Sequence, residues 1–172
     1  MRKAILSLAV VSCALAAIPA AGAQTGITLL PKNKLEAPVV MFPETVVKEL
    51  YRVHRNGHGH VFERQGRKHQ QKFFDPKLAA LIWKNLSETP GGEVGNIDFD
   101  PLYNAQDTQI KNFRVGASAI NGNAATVPVT FMNFDQRVRL VFRLVNTKAG
   151  WKVSNIDYGG GSDLVEILSQ PM

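Results

Sequence analysis

The sequence predicts an α+β fold: N-terminal helices packed on one face of a curved antiparallel sheet of about four strands, followed by a short C-terminal helix. Three observations carry this. Between residues 43 and 86, apolar side chains recur at helical spacing behind helix-start signals. Between residues 111 and 158 the spacing changes to alternation, punctuated by turn residues. The two regimes are segregated along the chain and joined by residues 92–107, which follow neither period and hold two glycines, a proline and four carboxylates.

The first residues carry a targeting pattern. Met1-Arg2-Lys3 is a short positive segment, residues 4–17 are almost entirely apolar, Pro19 ends the run, and Ala21-Gly22-Ala23 is a small-x-small cleavage signal. A run this short does not span a bilayer of about 30 Å, which takes roughly 20 apolar residues. The expectation is a secretory signal peptide over 1–23, cleaved after Ala23, and a periplasmic or secreted protein. Val10-Val11-Ser12-Cys13 loosely matches a lipobox, the weaker alternative, because the residues after Cys13 stay apolar. Cys13 is the chain's one cysteine, so cleavage after Ala23 leaves a protein that relies on an ordinary core rather than on disulfides. The formal net charge of +6 is mildly basic: it suits anionic envelope partners and is no nucleic-acid footprint.

Residues 24–42, with Pro31 and Pro38 among charged residues and Pro43 just beyond, read as an extended arm, and 43–170 as a single α+β domain. Pro43-Glu44-Thr45 starts a helix whose Val46, Val47, Leu50 and Val53 share a face, fading at Arg55-Asn56-Gly57. Residues 54–72 are polar and basic and read as a solvated loop or an anion-binding patch. His54, His58 and His60 are metal candidates by residue type alone, since Gly57 and Gly59 deny them the fixed spacing of a helical site. Phe74-Asp75-Pro76 gives an N-cap and a first-turn proline for a second helix over 73–86, with Leu78, Leu81, Ile82 and Leu86 as its stripe.

In the β half, Phe113, Val115, Ala117 and Ala119 alternate, Asn121-Gly122-Asn123 turns, and Ala125, Val127, Val129 and Phe131 share the next inner face. Pro128 within that run predicts an edge strand or a bulge. Val138, Leu140, Phe142 and Leu144 follow, with Arg137, Arg139 and Arg143 on the opposite face; like charges one step apart call for acids on a neighbouring strand, Asp157 foremost. A strand over 151–158 and a short helix from Ser162-Asp163 close the chain, and helices on such a sheet form a cone whose interior can be a pocket.

The chemistry-bearing residues gather in the central stretch. Asp98 and Asp100, two apart, point to one face if the segment is extended, and paired carboxylates raise one pKa. With Tyr103 they sketch a proton-transfer site, and Glu93 and Asp107 lie near in sequence; the competing reading is that these acids bond the loop's own backbone. No Gly-x-Ser-x-Gly elbow, His-Glu-x-x-His, phosphate loop or cysteine nucleophile beyond residue 23 is present, and no cofactor is implied. Trp151, within Gly150-Trp151-Lys152-Val153, reads as core or cone lining.

Phe73-Phe74-Asp75-Pro76-Lys77-Leu78, Gly92-Glu93-Val94-Gly95 running into Asp98-Phe99-Asp100-Pro101 and Gln106-Asp107, and Gly150-Trp151-Lys152-Val153 with Ile156 resemble the bacterial exported family called domain of unknown function 3828. The resemblance covers about residues 43–168. It implies a cone similar to the nuclear transport factor 2-like superfamily, and no activity. Enzymes of that superfamily place Asp, His or Tyr inside the cone. Here the residues available are Asp98, Asp100, Tyr103 and Tyr158, while every histidine lies in the early segment, so an Asp–His pair is not expected. The expected function is a non-enzymatic small-ligand-binding or adaptor domain of the envelope, with Asp98, Asp100, Tyr103, Gln106, Asp107, Trp151 and Tyr158 as candidate ligand contacts. The alternative is a small cone-pocket enzyme using Asp98, Asp100 and Tyr103 for proton transfer or hydrolysis. The expected partner is an envelope protein or a small ligand, anionic ligands included.

Overall fold

Helix α1, Pro43–Arg55, buries Val46, Val47, Leu50 and Tyr51, and places Arg52 and Arg55 in its last turn, where the helix's carbonyl end attracts positive charge. The computed structural model describes residues 41–55, 60–91 and 93–171. The leader, nearly all of the arm, His58 and Gly92 lie outside the described residues.

The basic segment after α1 is not loop throughout. A 3-10 turn, Arg64–Gly66, leads into a second helix, α2, Arg67–Phe73. Only Gln70 and Phe73 of α2 are buried, so seven residues offered no apolar period to read. Its last carbonyls are capped from the sheet: Lys152 Nζ donates to Gln71 O (3.3 Å) and to Lys72 O. Phe73 ends α2 rather than opening the next helix. Pro76 disfavours a helical Asp75, and Asp75 is extended (φ −67°, ψ 164°) while its carboxylate accepts from Leu78 N. Phe74 and Asp75 instead join the sheet, with Asp75 N donating to Val153 O at 2.9 Å. Helix α3 then runs Pro76–Glu88 and buries Leu78, Ile82 and Asn85.

The sheet has six antiparallel strands among the described residues: β1 Ile110–Val115, β2 Ala119–Asn121, β3 Ala124–Asn133, β4 Gln136–Thr147, β5 Gly150–Gly159 and β6 Ser162–Asp163. It is unclosed, ordered β1-β3-β4-β5-β6, with β2 also on β3. The strands beyond the expected four are short: β6 has two residues, and β2 has three and continues the run begun by β1 after a break at 116–118. Helix α4, Leu164–Leu168, follows with Asp163 as N-cap. Helix α1 packs on β3 and β5, α2 and α3 pack on β5, and α3 touches α4.

Pro128 corrects one expectation. It lies in β3, a strand paired on both sides, opposite Val141 of β4. Its carbonyl points to the β1 side, where Gly116 N donates to it at 2.8 Å. In an antiparallel strand a residue's N and O face the same neighbour. The missing N–H therefore falls at the break between β1 and β2, and β4 loses no ladder bond. Gly116 is needed there, because a Cβ on it would come within 2.8 Å of Pro128 Cγ.

An aromatic cluster fills part of the space between helices and sheet. Tyr51 meets Phe113, Tyr103 and Phe142 at ring-centroid distances of 4.6, 5.6 and 5.7 Å, and Tyr103 meets Phe131 at 5.6 Å. Edge-to-face clusters of this kind stabilise by about 0.5–1.5 kcal/mol per pair beyond burial. Among the described residues no helix is long and apolar enough to cross a membrane.

Candidate functional site

The central stretch is a tight platform gripped from both layers. Asp100 and Ala105 form an isolated antiparallel bridge, with Asp100 N donating to Ala105 O at 2.9 Å. The backbone N–H groups of Tyr103 and Asn104 donate back to Asp100 O at 3.1 and 2.8 Å. Asn104 takes the left-handed position (φ 52°), which its side chain tolerates. Asp100 Oδ1 accepts from Leu102 N at 2.9 Å, an Asx-turn in which the carboxylate bonds the loop's own backbone.

Three side chains from outside the loop complete the grip. Tyr51 of α1 donates its hydroxyl to Leu102 O at 2.5 Å, and Tyr158 of β5 donates to Pro101 O at 3.2 Å. His54 of α1 meets the second carboxylate oxygen, Nε2 to Asp100 Oδ2 at 2.6 Å, with both side chains about three-quarters buried (22% and 24% exposed). Its ring lies 5.9 Å from that of Tyr103. The Asp–His pair that the sequence spoke against is therefore formed. Burial, and then the ionisable neighbours Tyr103, Asp100 and Tyr158, raises the Tyr51 phenol well above its ordinary range. Burial followed by Asp100 also raises Tyr103 and Tyr158. All three phenols are protonated at neutral pH, and those of Tyr51 and Tyr158 donate to the loop's carbonyls.

On the open side of this platform is a cleft of about 420 Å³. Phe62, Ile82 and Leu86 supply apolar walls, and Asp98, Asp100 and Gln106 supply polar groups. Gln106 Nε2 donates to Asp98 Oδ2 at 3.0 Å. Asn85 also lines the cleft, and its Oδ1 accepts from Asn96 N at 2.8 Å; next to it Gly95 leaves no room for a side chain, since an added Cβ would fall 2.5 Å from Thr89 Oγ1 and 2.7 Å from Asn85 Oδ1.

Of the seven expected contacts, the structure brings Asp98, Asp100 and Gln106 into one cleft. Tyr103 is 7% exposed and belongs to the aromatic core. Tyr158 supports the loop from behind, with Phe99 edge-on to its ring at 5.8 Å. Asp107 is exposed and contributes its backbone carbonyl to Asn133 Nδ2 at 3.0 Å. Trp151 lies at the far end of β5, opposite Asn146, where it lines a separate cleft with Phe73, Lys72 and Lys148. Of the metal candidates, His54 binds Asp100, His60 Nδ1 sits 2.9 Å from Glu63 Oε2, and His58 lies outside the described residues. Among the described residues no three His, Cys, Asp or Glu side chains group as metal ligands. Tyr51 was missed by sequence reasoning, and His54 entered it only as a metal candidate; three apart on a helix, the two share a face, and that spacing was the available signal.

No family model matches the chain, and no curated protein matches it. Solved structures similar to it include the type VI effector–immunity complex Tae3–Tai3 from Ralstonia pickettii. The selenomethionine form matches at 19% identity over 70% of this chain and 98% of that one (TM-score 0.48), and the native form at 16% over 69% and 94% (TM-score 0.48). A phospholipid-binding protein from Ralstonia solanacearum matches at 15% identity over 74% and 83% (TM-score 0.38).

Proposed function

We propose that this is an exported envelope protein of the domain of unknown function 3828 family, with a nuclear transport factor 2-like fold, and that it acts as a non-enzymatic binding domain. The leader pattern of residues 1–23 supports export, and the central-stretch motif supports the family. The observation that carries the binding reading is the convergence of Asp98, Asp100 and Gln106 on one apolar-walled cleft. Carboxylate acceptors above Phe62, Ile82 and Leu86 suit a small molecule with hydroxyl or ammonium donors on one edge and an apolar face on the other. Backbone amide NMR during titration with polyols, sugars and primary alkylamines tests this. Shift changes should concentrate at residues 97–100 and 106, and Asp98→Asn with Gln106→Ala should abolish them. Shifts confined to the Trp151 cleft, or none at millimolar ligand, would reject the reading.

The enzymatic alternative has one observation in its favour, the His54–Asp100 pair at the cleft's edge. A carboxylate that orients an imidazole is a general-base arrangement. Hydrolysis of activated esters that disappears in His54→Ala, with ligand shifts retained, would favour it. Turnover that is absent, or indifferent to His54, would eliminate it.

A further inference from the structure

The sheet face turned away from the helices carries a charged array that the central cleft does not use. Met132 of β3 pairs with Lys111 on one side and Arg137 on the other, and Thr130 pairs with Arg114 and Arg139. A bulge in β1 at Asn112 (φ 53°) and Phe113 makes this possible. Residues three apart in a regular strand face opposite ways. The extra residue returns Arg114 to the face of Lys111 while Phe113 turns inward to Tyr51. All four cations are exposed, and among the described residues none makes an ion pair. The neighbouring Arg143 does, with Asp157 at 2.7 Å.

At the end of this face the β3–β4 hairpin turns through Phe134 and Asp135. Phe134 is 49% exposed and left-handed (φ 50°), a conformation that glycine or asparagine adopts far more readily than a bulky aromatic. Its ring is not part of the hydrophobic core. We propose that this face docks on an anionic phospholipid surface, with Lys111, Arg114, Arg137 and Arg139 meeting headgroups and Phe134 entering the headgroup–acyl boundary. With strands about 4.8 Å apart and alternate residues roughly 7 Å apart, the cations spread over a patch wider than one phosphate. They match a field of anionic groups, for which each nearby cation strengthens partition about five-fold. An exposed aromatic beside them suits an interface with an apolar layer beneath, which a soluble polyanion lacks.

The patch shares no residue with the Asp98 cleft, so its failure leaves the ligand reading untouched. The test is co-sedimentation of the protein, as processed and released by an expressing bacterium, with phosphatidylcholine vesicles with or without phosphatidylglycerol. Partition should rise at least about tenfold with phosphatidylglycerol and fall with added salt. The double variant R114E/R139E should lose about tenfold or more. Phe134→Gly should fold at least as stably as the parent, since glycine accepts the left-handed turn, yet bind several-fold more weakly. Equal partition into both vesicle types would overturn the proposal, as would parent-like binding by either variant. Heparin binding that depends on Arg114 and Arg139, with vesicle binding indifferent to Phe134, would assign the face to an acidic macromolecule instead.

Discussion

Raising the pH should unfold this protein through its tyrosines. The chain has three, and Tyr51, Tyr103 and Tyr158 all have phenols held above the ordinary range by burial and then by neighbouring negative or ionisable groups. A group whose folded pKa exceeds its unfolded value contributes stability that is complete below the unfolded pKa, near 10, and is lost as pH rises above it. Between the unfolded and folded values the unfolded chain has released a proton that the folded chain keeps. Each phenol then lowers stability by about 1.4 kcal/mol per pH unit, and the three together by about 4. Against a typical stability of about 5–15 kcal/mol, a loss of this size makes cooperative unfolding the expected outcome of an alkaline titration carried above pH 10. The assay is phenolate absorbance recorded with near-ultraviolet circular dichroism during an alkaline titration. Both signals should change together and steeply, with about three protons released per molecule unfolded. Tyr51→Phe should remove about a third of the steepness and cost about 1–3 kcal/mol at neutral pH, because the buried Leu102 carbonyl loses its donor. A phenol titrating near pH 10 with the dichroism intact would refute the buried placement of these rings.

Gly95→Ala should destabilise by about 1–3 kcal/mol and disturb the Asp98 cleft, since the new Cβ meets Thr89 Oγ1 and Asn85 Oδ1 at 2.5 and 2.7 Å; an unchanged denaturant midpoint would count against that packing. His54→Ala and Asp100→Asn should each cost about 1–3 kcal/mol, and the double variant should cost less than their sum, a coupling read from urea midpoints. Additive losses would mean that the pair does not interact. The Arg143 guanidinium, followed by the Gly159 N–H, holds the Asp157 carboxyl below its usual range. That contribution is present above the unfolded pKa near 3.9 and is lost as pH falls through the lower folded value. Arg143→Met should therefore lower stability slightly at neutral pH, by no more than about 1 kcal/mol for so exposed a pair, and leave it unchanged in strong acid.

Legibility differed between local and long-range features. The β4–β5 hairpin could be read because Val138, Leu140, Phe142 and Leu144 alternate with arginines, and period two survives wherever one face is buried and the other wet. The start of α3 could be read because Asp75-Pro76 acts within three residues. Helix α2 could not, because two buried side chains set no period. Pro128 misled because its cost depends on which neighbour its nitrogen faces, and that is a matter of register. At the site, Asp98, Asp100 and Gln106 were legible since their grouping is local, and the Asx-turn of Asp100 follows from residue type. His54 was invisible in that role: its partner is 46 residues away, and no sequence period encodes that distance. Trp151 was drawn to the site by residue type and excluded by position, at the opposite end of β5 from Tyr158.

Amide hydrogen exchange across residues 93–107 tests the central claim most directly, that this stretch is a rigid platform held by α1 and β5 rather than a loose connection. The amides of Asp100, Leu102, Tyr103 and Asn104 all have intraloop acceptors, and should exchange as slowly as those of β3 and β4, with protection that falls when His54 or Tyr51 loses its polar group. Exchange at the rate of an exposed loop, indifferent to both substitutions, would contradict the account.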